Sequence, residues 1–311
     1  MLNRRSFLKK AALGSGLILT GGFPFESLAG ERSCRLTILH TNDVHSRLEP
    51  FPMDGGKFQG QGGVAERAAL IKKIRSEAEH VLLFDAGDIF QGTAYFNLYK
   101  GEPEIKAMSM MGYDAVTMGN HDFDAGVEGF ARQLVHAKFP VLTANYDFTD
   151  TALEGKTQPY TTIRKGPLKI GIFGLGIQLR GLVPDDAYGK TKYLEPIQIA
   201  NRTAERLKKK EKCDMVICLS HLGYEYSHNK VSDLILAKET ENIDLIIGGH
   251  THTFLEEPAV LKNKKGRDVV VNQVGWAGLR LGRLDYVFDS KKSSKLSNAH
   301  SVIIGKQTSG V

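Results

Sequence analysis

Short apolar runs of strand length recur along the chain, and amphipathic stretches of helical length separate most of them. Val64, Ala68 and Ile71 fall on one face at helical spacing. Apolar strands that alternate with such helices are typical of an α/β class, in which a sheet is covered on both faces. The predicted strands are residues 35–40, 81–84, 115–118, 141–144, 160–163, 169–173, 215–219, 244–247, 269–273 and 284–288, and the predicted helices are 64–79, 103–111, 127–137, 196–210 and 232–238.

The pattern changes toward the carboxyl terminus. No helical pattern separates residues 269–273 from residues 284–288, so this half of the sheet is predicted to turn antiparallel. Residues 290–298 are rich in Lys and Ser and are predicted to form a loop, while residues 301–304 add an edge strand. Since no internal repeat or second boundary is visible, we expect one domain over residues 30–289 and a tail over 290–311.

The first 29 residues have the features of an export signal. Arg4 and Arg5 precede a weakly apolar run over residues 11–22, which is too short to span a bilayer. Ser27 and Ala29 are the small residues that a signal peptidase needs. Paired arginines at such a position predict a twin-arginine signal peptide over residues 1–29. We therefore expect a protein that is periplasmic or exported.

Charge and composition exclude several classes of protein. Of the 311 residues, 41% are hydrophobic and 24% are charged, which is an ordinary globular balance. Removal of the four basic residues of the signal and of Glu26 lowers the formal net charge from +6 to +3. A balance so close to neutral implies no nucleic-acid partner.

The three cysteines do not predict a disulfide framework. Their number is odd, and Cys213 and Cys218 bracket a five-residue strand that would hold them too far apart to bridge. No cysteine follows the apolar run of the signal, where a lipoprotein anchor would need one. We therefore expect neither disulfides nor a membrane anchor.

Polar residues that can bind metals follow five of the predicted strands. Oxygen and imidazole ligands without thiolate suit Mn, Zn, Fe or Co. Asp-x-His and His-x-His place two side chains on the same side of an extended segment. Adjacent glycines at 87, 119, 248 and 249 are expected to allow a tight turn off each strand. The sequence therefore predicts a site for two divalent metal ions at Asp43, His45, Asp88, Asn120, His221, His250 and His252.

The segment Gly-Asn-His-Asp-Phe-Asp over residues 119–124 is the densest of these motifs. Asn120 offers an amide oxygen to a metal or a contact to a phosphate, His121 is a proton donor or a ligand, and Asp124 is close enough to orient that imidazole. Three such groups in five residues indicate a hydrolytic centre. His40 is expected to be a packed, hydrogen-bonded residue near the site, and His80, His136, His228 and His300 are expected to take no part.

Together these motifs resemble those of the calcineurin-like metallophosphoesterase superfamily, and within it the 5′-nucleotidase and UDP-sugar hydrolase family. The resemblance runs from about residue 36 to residue 289. It implies an α/β fold in which two mixed β-sheets form a four-layer αββα sandwich flanked by helices. The segments that carry the match are residues 38–45, 85–88, 119–124, 220–223 and 248–252.

The resemblance also implies a role for each site residue. Asp43, His45 and His252 would bind the first metal, and Asp88 would bridge the two ions. The ligands of the second metal would be Asn120, His221 and His250. His121 and Asp124 would form the catalytic dyad, and the substrate would be a small phosphate ester.

The resemblance leaves the leaving group of the ester undetermined. Nucleotidases of this family carry a second domain that recognises the base, and this chain shows no such region after residue 289. Either a separate C-terminal nucleotidase domain protein completes the pocket, or the substrates are smaller esters. The alternatives to an exported phosphatase acting on 5′-nucleotides are a sulfur-ester hydrolase like the thiosulfohydrolases and a binding subunit without catalysis.

Overall fold

A computed structural model of the protein describes residues 33–305, so the predicted signal peptide and the last six residues lie outside the described part. The strands in this range are β1 Cys34–Thr41, β2 Val81–Asp85, β3 Ala115–Thr117, β4 Val141–Leu142, β5 Tyr146–Asp147, β6 Tyr160–Lys165, β7 Leu168–Leu175, β8 Lys192–Tyr193, β9 Met215–Ser220, β10 Leu245–Gly248, β11 Ala259–Lys262, β12 Asp268–Asn272, β13 Arg280–Phe288 and β14 Ser294–Ile303. The helices are α1 Val64–Glu77, α2 Ala94–Tyr99, α3 Glu102–Met111, α4 Gly126–Gln133, α5 Asp185–Tyr188, α6 Pro196–Glu205 and α7 Asp233–Glu239.

Two six-stranded mixed sheets form the centre of the molecule. Their strand orders are β14-β13-β1-β2-β3-β4 and β11-β12-β10-β9-β7-β6. Side chains of both sheets, including Ile38 and Ile217, share one buried cluster between them. Helices α1, α3 and α4 cover the outer face of the first sheet, and α6 and α7 cover that of the second. This arrangement confirms the four-layer αββα fold.

Burial on both faces explains why the strands read as continuous apolar runs. Ile38 belongs to the cluster between the sheets, whereas its neighbour Leu39 belongs to the cluster under the helices. Successive strand residues point to opposite faces, so both must be apolar when both faces are buried. The alternation of strands and helices thus predicted that both faces of the sheet are buried. In each sheet, however, only the outer face packs against helices, and the inner face packs against the other sheet.

The prediction that the carboxyl-terminal half turns antiparallel is correct for one strand and wrong for the other. β12 is parallel to β10, and the antiparallel neighbour that it does have is β11, which the sequence did not predict. β13 pairs antiparallel with β1 of the first sheet. The helix-free connection from β12 to β13 therefore leads from one sheet to the other, and a change of sheet leaves no local signal.

The loop predicted at residues 290–298 is wrong for most of its length. β14 begins at Ser294 and pairs with β13 as a hairpin, with one irregularity beside Asp285 and Tyr286. The predicted edge strand at residues 301–304 is the end of this longer strand. β14 is the edge strand of its sheet, so its Lys and Ser side chains are exposed or half-buried. Polar residues are common on edge strands, which is why this segment resembled a loop in sequence.

The remaining predictions on covalent and membrane features can be compared with residues 33–305. Cys34, Cys213 and Cys218 are all free thiols, and the last two are buried, which confirms that no disulfide supports the fold. In this part of the chain no helix is both long enough and apolar enough to cross a membrane.

Candidate metal centre

Loops that leave β1, β2, β9 and β10 bring most of the predicted ligands together. Two sets of three side chains form, and within each set one ligand atom of each residue lies within 4.8 Å of the others. The first ligand group is Asp43, His45 and His252, and the second ligand group is Asp88, His221 and His250. β1 and β2 are parallel neighbours in the first sheet, and β9 and β10 are parallel neighbours in the second. Each pair therefore brings its loops to one edge of its sheet, and packing of the two sheets brings the two sets of loops together.

The two carboxylates link the two ligand groups. The Oδ2 atom of Asp88 lies 3.2 Å from Nε2 of His221 and 3.8 Å from Nε2 of His45. The Oδ1 atom of Asp43 lies 3.4 Å from Nε2 of His252 and 3.9 Å from Nε2 of His221. Each carboxylate therefore faces histidines of both groups.

Asn120 extends the second ligand group. Its Oδ1 atom lies 2.7 Å from Nδ1 of His250, and its side chain is buried. The main-chain N–H of His250 donates to both oxygens of Asp43 at 3.0 Å. These contacts join residues of three strand-end loops into one polar cluster.

The histidines present their free nitrogens to the carboxylates. The Nδ1 atom of His221 lies 2.7 Å from the carbonyl oxygen of Ala86, and that of His45 lies 3.2 Å from the carbonyl oxygen of Phe90. Donation of Nδ1–H to a carbonyl leaves the Nε2 lone pair as the metal-binding atom. Nε2 of His221 is buried and makes no hydrogen bond within residues 33–305. An unsatisfied buried nitrogen among carboxylates fits a divalent cation.

The close approach of carboxylates and histidines shifts several pKa values at the centre. Burial opposes protonation of His221, but the carboxylates of Asp88 and Asp43 outweigh it and raise its pKa to about 10. Burial opposes ionisation of Asp88 in turn, but His221 holds the pKa of Asp88 below its usual range. Burial, assisted by His221, lowers the pKa of His250 to about 4. The carboxylates and imidazoles of the centre therefore interact strongly enough to shift one another's pKa values.

Five of the predicted ligands have a left-handed backbone conformation. Such conformations cost non-glycine residues on the order of 1–3 kcal/mol each and persist where the surrounding structure holds them. They turn the chain sharply off each strand and aim the side chains inward. Their φ angles are 50° at Asp43, 49° at His45, 55° at Asp88, 73° at His250 and 53° at His252.

The sequence predicted that four glycines beside the ligands would allow tight turns off the strands, but only one of them has the backbone conformation that such a turn needs. Only Gly87 has a positive φ, at 89°. A Cβ atom at Gly119 would overlap the carboxylate of Asp88, and one at Gly248 would overlap that of Asp233. These glycines leave room for close packing, and the ligands themselves make the turns.

Asp122 is a site residue that the sequence reasoning missed. Its buried carboxylate accepts main-chain N–H bonds from Asp88 at 3.0 Å, Ile89 at 2.9 Å, Phe90 at 3.2 Å and Gly119 at 2.8 Å. It therefore holds the loop after β2 in the conformation that presents Asp88. Its place inside the motif at residues 119–124 was the available signal, but the bonds to a distant loop have no local pattern.

Two amides also support the centre without having been predicted. Asn42 donates to Oδ2 of Asp43 at 2.7 Å and accepts from the main-chain N–H of Val274 at 3.0 Å. Gln273 donates to the carbonyl oxygen of Gly249 at 2.7 Å. Both amides fix loops that carry ligands, and such outer contacts control ligand orientation.

His121 and Asp124 form a pair at the open side of the centre. The Nδ1 atom of His121 lies 2.9 Å from Oδ2 of Asp124, and the imidazole ring lies 5.3 Å from that of His45. The hydrogen bond to Asp124 raises the pKa of His121 above its ordinary value. Because Nδ1 is engaged by the carboxylate, Nε2 is the atom that can exchange a proton with a bound molecule.

The other five histidines belong to neither ligand group. His40 is fully buried, its Nε2 lies 2.9 Å from Nδ2 of Asn272, and it belongs to neither ligand group. Burial without a carboxylate partner lowers its pKa to about 3. Neither ligand group contains His80, His136, His228 or His300.

Residues 36–254 match the calcineurin-like phosphoesterase family. The chain belongs to this family. The matched range includes the strand-end loops that hold both ligand groups. The family match confirms the expected class, a hydrolase of phosphate esters.

Individual relatives of this phosphoesterase are 5′-nucleotidases. The snake venom 5′-nucleotidase of Gloydius brevicauda is 35% identical over 297 residues, which cover 89% of this chain and 49% of the relative. The structure of a 5′-nucleotidase precursor from Thermus thermophilus is 33% identical with a TM-score of 0.80, covering 88% of this chain and 55% of that one. The NAD nucleotidase of Haemophilus influenzae is 29% identical with a TM-score of 0.78, covering 88% and 57%. The chain thus spans about half the length of these relatives.

Proposed function

We propose that this phosphoesterase is the catalytic unit of an exported enzyme that hydrolyses 5′-nucleotides or related nucleotide esters with two divalent ions. The observation that carries the proposal is the placement of two carboxylates, Asp43 and Asp88, between two sets of histidines and beside the His121–Asp124 pair. The names of the relatives support nucleotides as substrates.

Each ligand group is proposed to hold one ion, of Mn, Zn, Fe or Co. The first ion would be bound by Asp43, His45 and His252, and the second by Asn120, His221 and His250, with Asp88 shared by both. When bound, a pair of such ions polarises the phosphoryl group and activates water near neutral pH. The residues fit the ions because the described ligands are carboxylate, amide and imidazole groups with the imidazole nitrogens already oriented.

His121 is proposed to protonate the departing oxygen of the ester. Asp124 keeps Nδ1 of His121 as the hydrogen-bonded nitrogen, so that Nε2 carries the transferable proton. The main-chain N–H of His121 donates to Oδ1 of Asp88 at 2.8 Å, which fixes the dyad relative to the ligand groups. Asn120 is proposed to contact the phosphate through the amide nitrogen that its bond to His250 leaves available.

Export and domain organisation complete the proposal. Residues 1–29 are proposed to be a twin-arginine signal and residues 30–289 the catalytic domain, whose first sheet also includes β14 from the residues predicted as a tail over 290–311. A separate C-terminal nucleotidase domain protein is a proposed partner, because the relatives are about twice as long as the matched region.

A screen of phosphate release in the presence of Mn²⁺ tests this function. The substrates are 5′-nucleotides, UDP-sugars, cyclic nucleotides and p-nitrophenyl phosphate, with the His121→Ala variant as the matched control. We expect release from 5′-nucleotides that the variant loses. Absence of phosphate release from every ester, together with sulfate release from sulfur esters, would replace the phosphatase by the sulfur-ester hydrolase.

A further inference from the structure

An aromatic ledge lies directly beside the first ligand group. The indole of Trp276 is nearly parallel to the imidazole of His252, with 10° between the planes and 5.8 Å between the centroids. Phe51 meets Trp276 edge to face at 6.0 Å, and the guanidinium of Arg47 lies 4.1 Å above Phe51. We define Arg47, Phe51 and Trp276 as the aromatic ledge, and all three side chains are partly exposed.

The ledge is fixed to the metal centre through the main chain. The N–H of Ala277 donates to the carbonyl oxygen of Asp43 at 2.7 Å, and Asn42 donates to the carbonyl oxygen of Gly275 at 2.6 Å. Ala277 has a φ of 56°, an unfavourable angle for alanine that these bonds maintain. Trp276 is therefore held in place by the segment that carries the ligand Asp43.

Arg47 brings a positive charge that no carboxylate balances nearby. Within residues 33–305 it forms no ion pair, and its Nε is buried without a hydrogen-bond partner. A second arginine that lies over an aromatic ring does have a carboxylate partner: Arg206 lies 5.3 Å from the ring of Tyr160 and 3.9 Å from Glu211. An uncompensated guanidinium two residues after the ligand His45 favours an anionic molecule at this end of the centre.

We propose that the ledge is a subsite for a planar heteroaromatic leaving group, such as a nucleobase, of an anionic ester. The base stacks on Trp276 beside Phe51, and Arg47 attracts the negative charge of the same molecule. Stacking of a base on an aromatic side chain contributes about 1–3 kcal/mol and tolerates any base. This subsite rests on the proposed phosphoesterase function, and it would give the described residues a contact of their own to the leaving group.

A purely structural role for Trp276 makes a different prediction. If the indole only packs against His252, its loss disturbs the first ligand group and impairs every ester alike. If the ledge binds the leaving group, its loss impairs only esters whose leaving group is aromatic. The ratio between two substrates therefore separates the two roles.

The first experiment measures kcat/KM with Mn²⁺ for adenosine 5′-monophosphate and for glycerol phosphate, which has no ring. We expect Trp276→Leu to lower the value for the nucleotide about 10-fold, the lower part of the stacking range, and to leave glycerol phosphate unchanged. We expect Phe51→Leu to lower kcat/KM for the nucleotide less, and Trp276→Phe to retain most of the wild-type value. The control Tyr160→Leu should leave kcat/KM unchanged for both substrates. Equal losses on both substrates, or no loss on either, would overturn the subsite.

The second experiment does not depend on turnover. Trp276 is the only tryptophan of the chain, so its emission reports directly on the ledge. Adenosine carries no phosphate, and its titration into the metal-loaded protein is expected to quench this emission saturably in the millimolar range. Quenching without phosphate release from any ester would reject the phosphoesterase function but keep the subsite, whereas emission that adenosine leaves unchanged would reject the subsite.

Discussion

The two ligand groups have the same kinds of side chain, and each has two buried ligands, but the third ligand is half-buried in the second group (His250) and exposed in the first (His252). In the second group the side chain of His221 is fully buried and that of Asp88 is 2% exposed. In the first group the side chain of His252 is 40% exposed and is stacked on Trp276. His121 and Asp124, at 37% and 26% exposure, also lie on the open side.

This difference in exposure indicates that the two ligand groups have different roles. A buried group with few water contacts loses an ion only when the structure opens, whereas an exposed ligand can exchange with water. We therefore expect the second group to hold its ion more firmly and the first group to form the side that meets substrate. Single substitutions in and beside the two groups should separate these roles.

Replacement of His221 by alanine should have the largest effect. It removes the buried base that faces both Asp88 and Asp43 and leaves their negative charges uncompensated. Lewis-acid stabilisation is worth several kcal/mol, so we expect kcat/KM for a 5′-nucleotide to fall at least ~10³-fold. Elemental analysis should show loss of bound metal, and full metal content with normal activity would contradict the assignment of the second group.

Replacement of His121 by alanine should leave both ions in place and still reduce turnover. A positioned proton donor contributes at least ~100-fold, and the side chain of His121 belongs to neither ligand group. Asp124→Asn should produce a smaller loss because it keeps a hydrogen-bond partner for Nδ1. Parallel measurement of kcat and metal content checks both variants, and an unchanged kcat in His121→Ala would remove the dyad from the mechanism.

Replacement of His252 by alanine should weaken one ion and spare the other. We expect affinity for the weaker ion to fall at least ~10-fold, the scale on which changed metal surroundings act, with activity restored by excess Mn²⁺. Chelation of the wild-type protein should likewise proceed in two steps. If both ions leave His252→Ala together, the two groups do not act separately and the comparison fails.

The smallest expected effect is on stability, at His40, whose pKa is lowered by burial and not by a neighbouring charge. Its pKa is about 3 in the folded protein and near 6.5 when unfolded, so the unfolded chain binds more protons between these values. Stability that is present above pH 6.5 is therefore lost as pH falls toward 3. Between pH 6.5 and pH 5 the wild type should lose about 1.6 kcal/mol more than His40→Gln. Urea unfolding of the metal-free proteins measures this, and equal losses would contradict it.

His40 and His221 show why a buried histidine cannot be assigned from burial alone. Both are fully buried, yet the pKa of one falls to about 3 and that of the other rises to about 10. The carboxylates of Asp88 and Asp43 make the difference. The sequence separated these two histidines because one lies inside a strand run and the other follows a strand end.

Several features of the site were accessible from the sequence. Asp43, Asp88 and His221 are polar residues at the end of apolar runs, and that contrast is local. The pair of His121 and Asp124 three residues apart was accessible for the same reason. Asp122 was not, because its four acceptor bonds lead mostly to residues 88–90 in another loop.

The sequence by itself determined the order of most strands and helices, the strand-end positions of the ligands and their chemical types, because residue type and periodicity are properties of neighbouring residues. Tertiary structure decided which ligands share a group, as with His45 and His252, which are 207 positions apart and have Nε2 atoms 3.0 Å apart. It also decided the left-handed turns at Asp43 and Asp88 and the stacking of Trp276 on His252. These features depend on contacts between distant segments, which form only when the two sheets pack together.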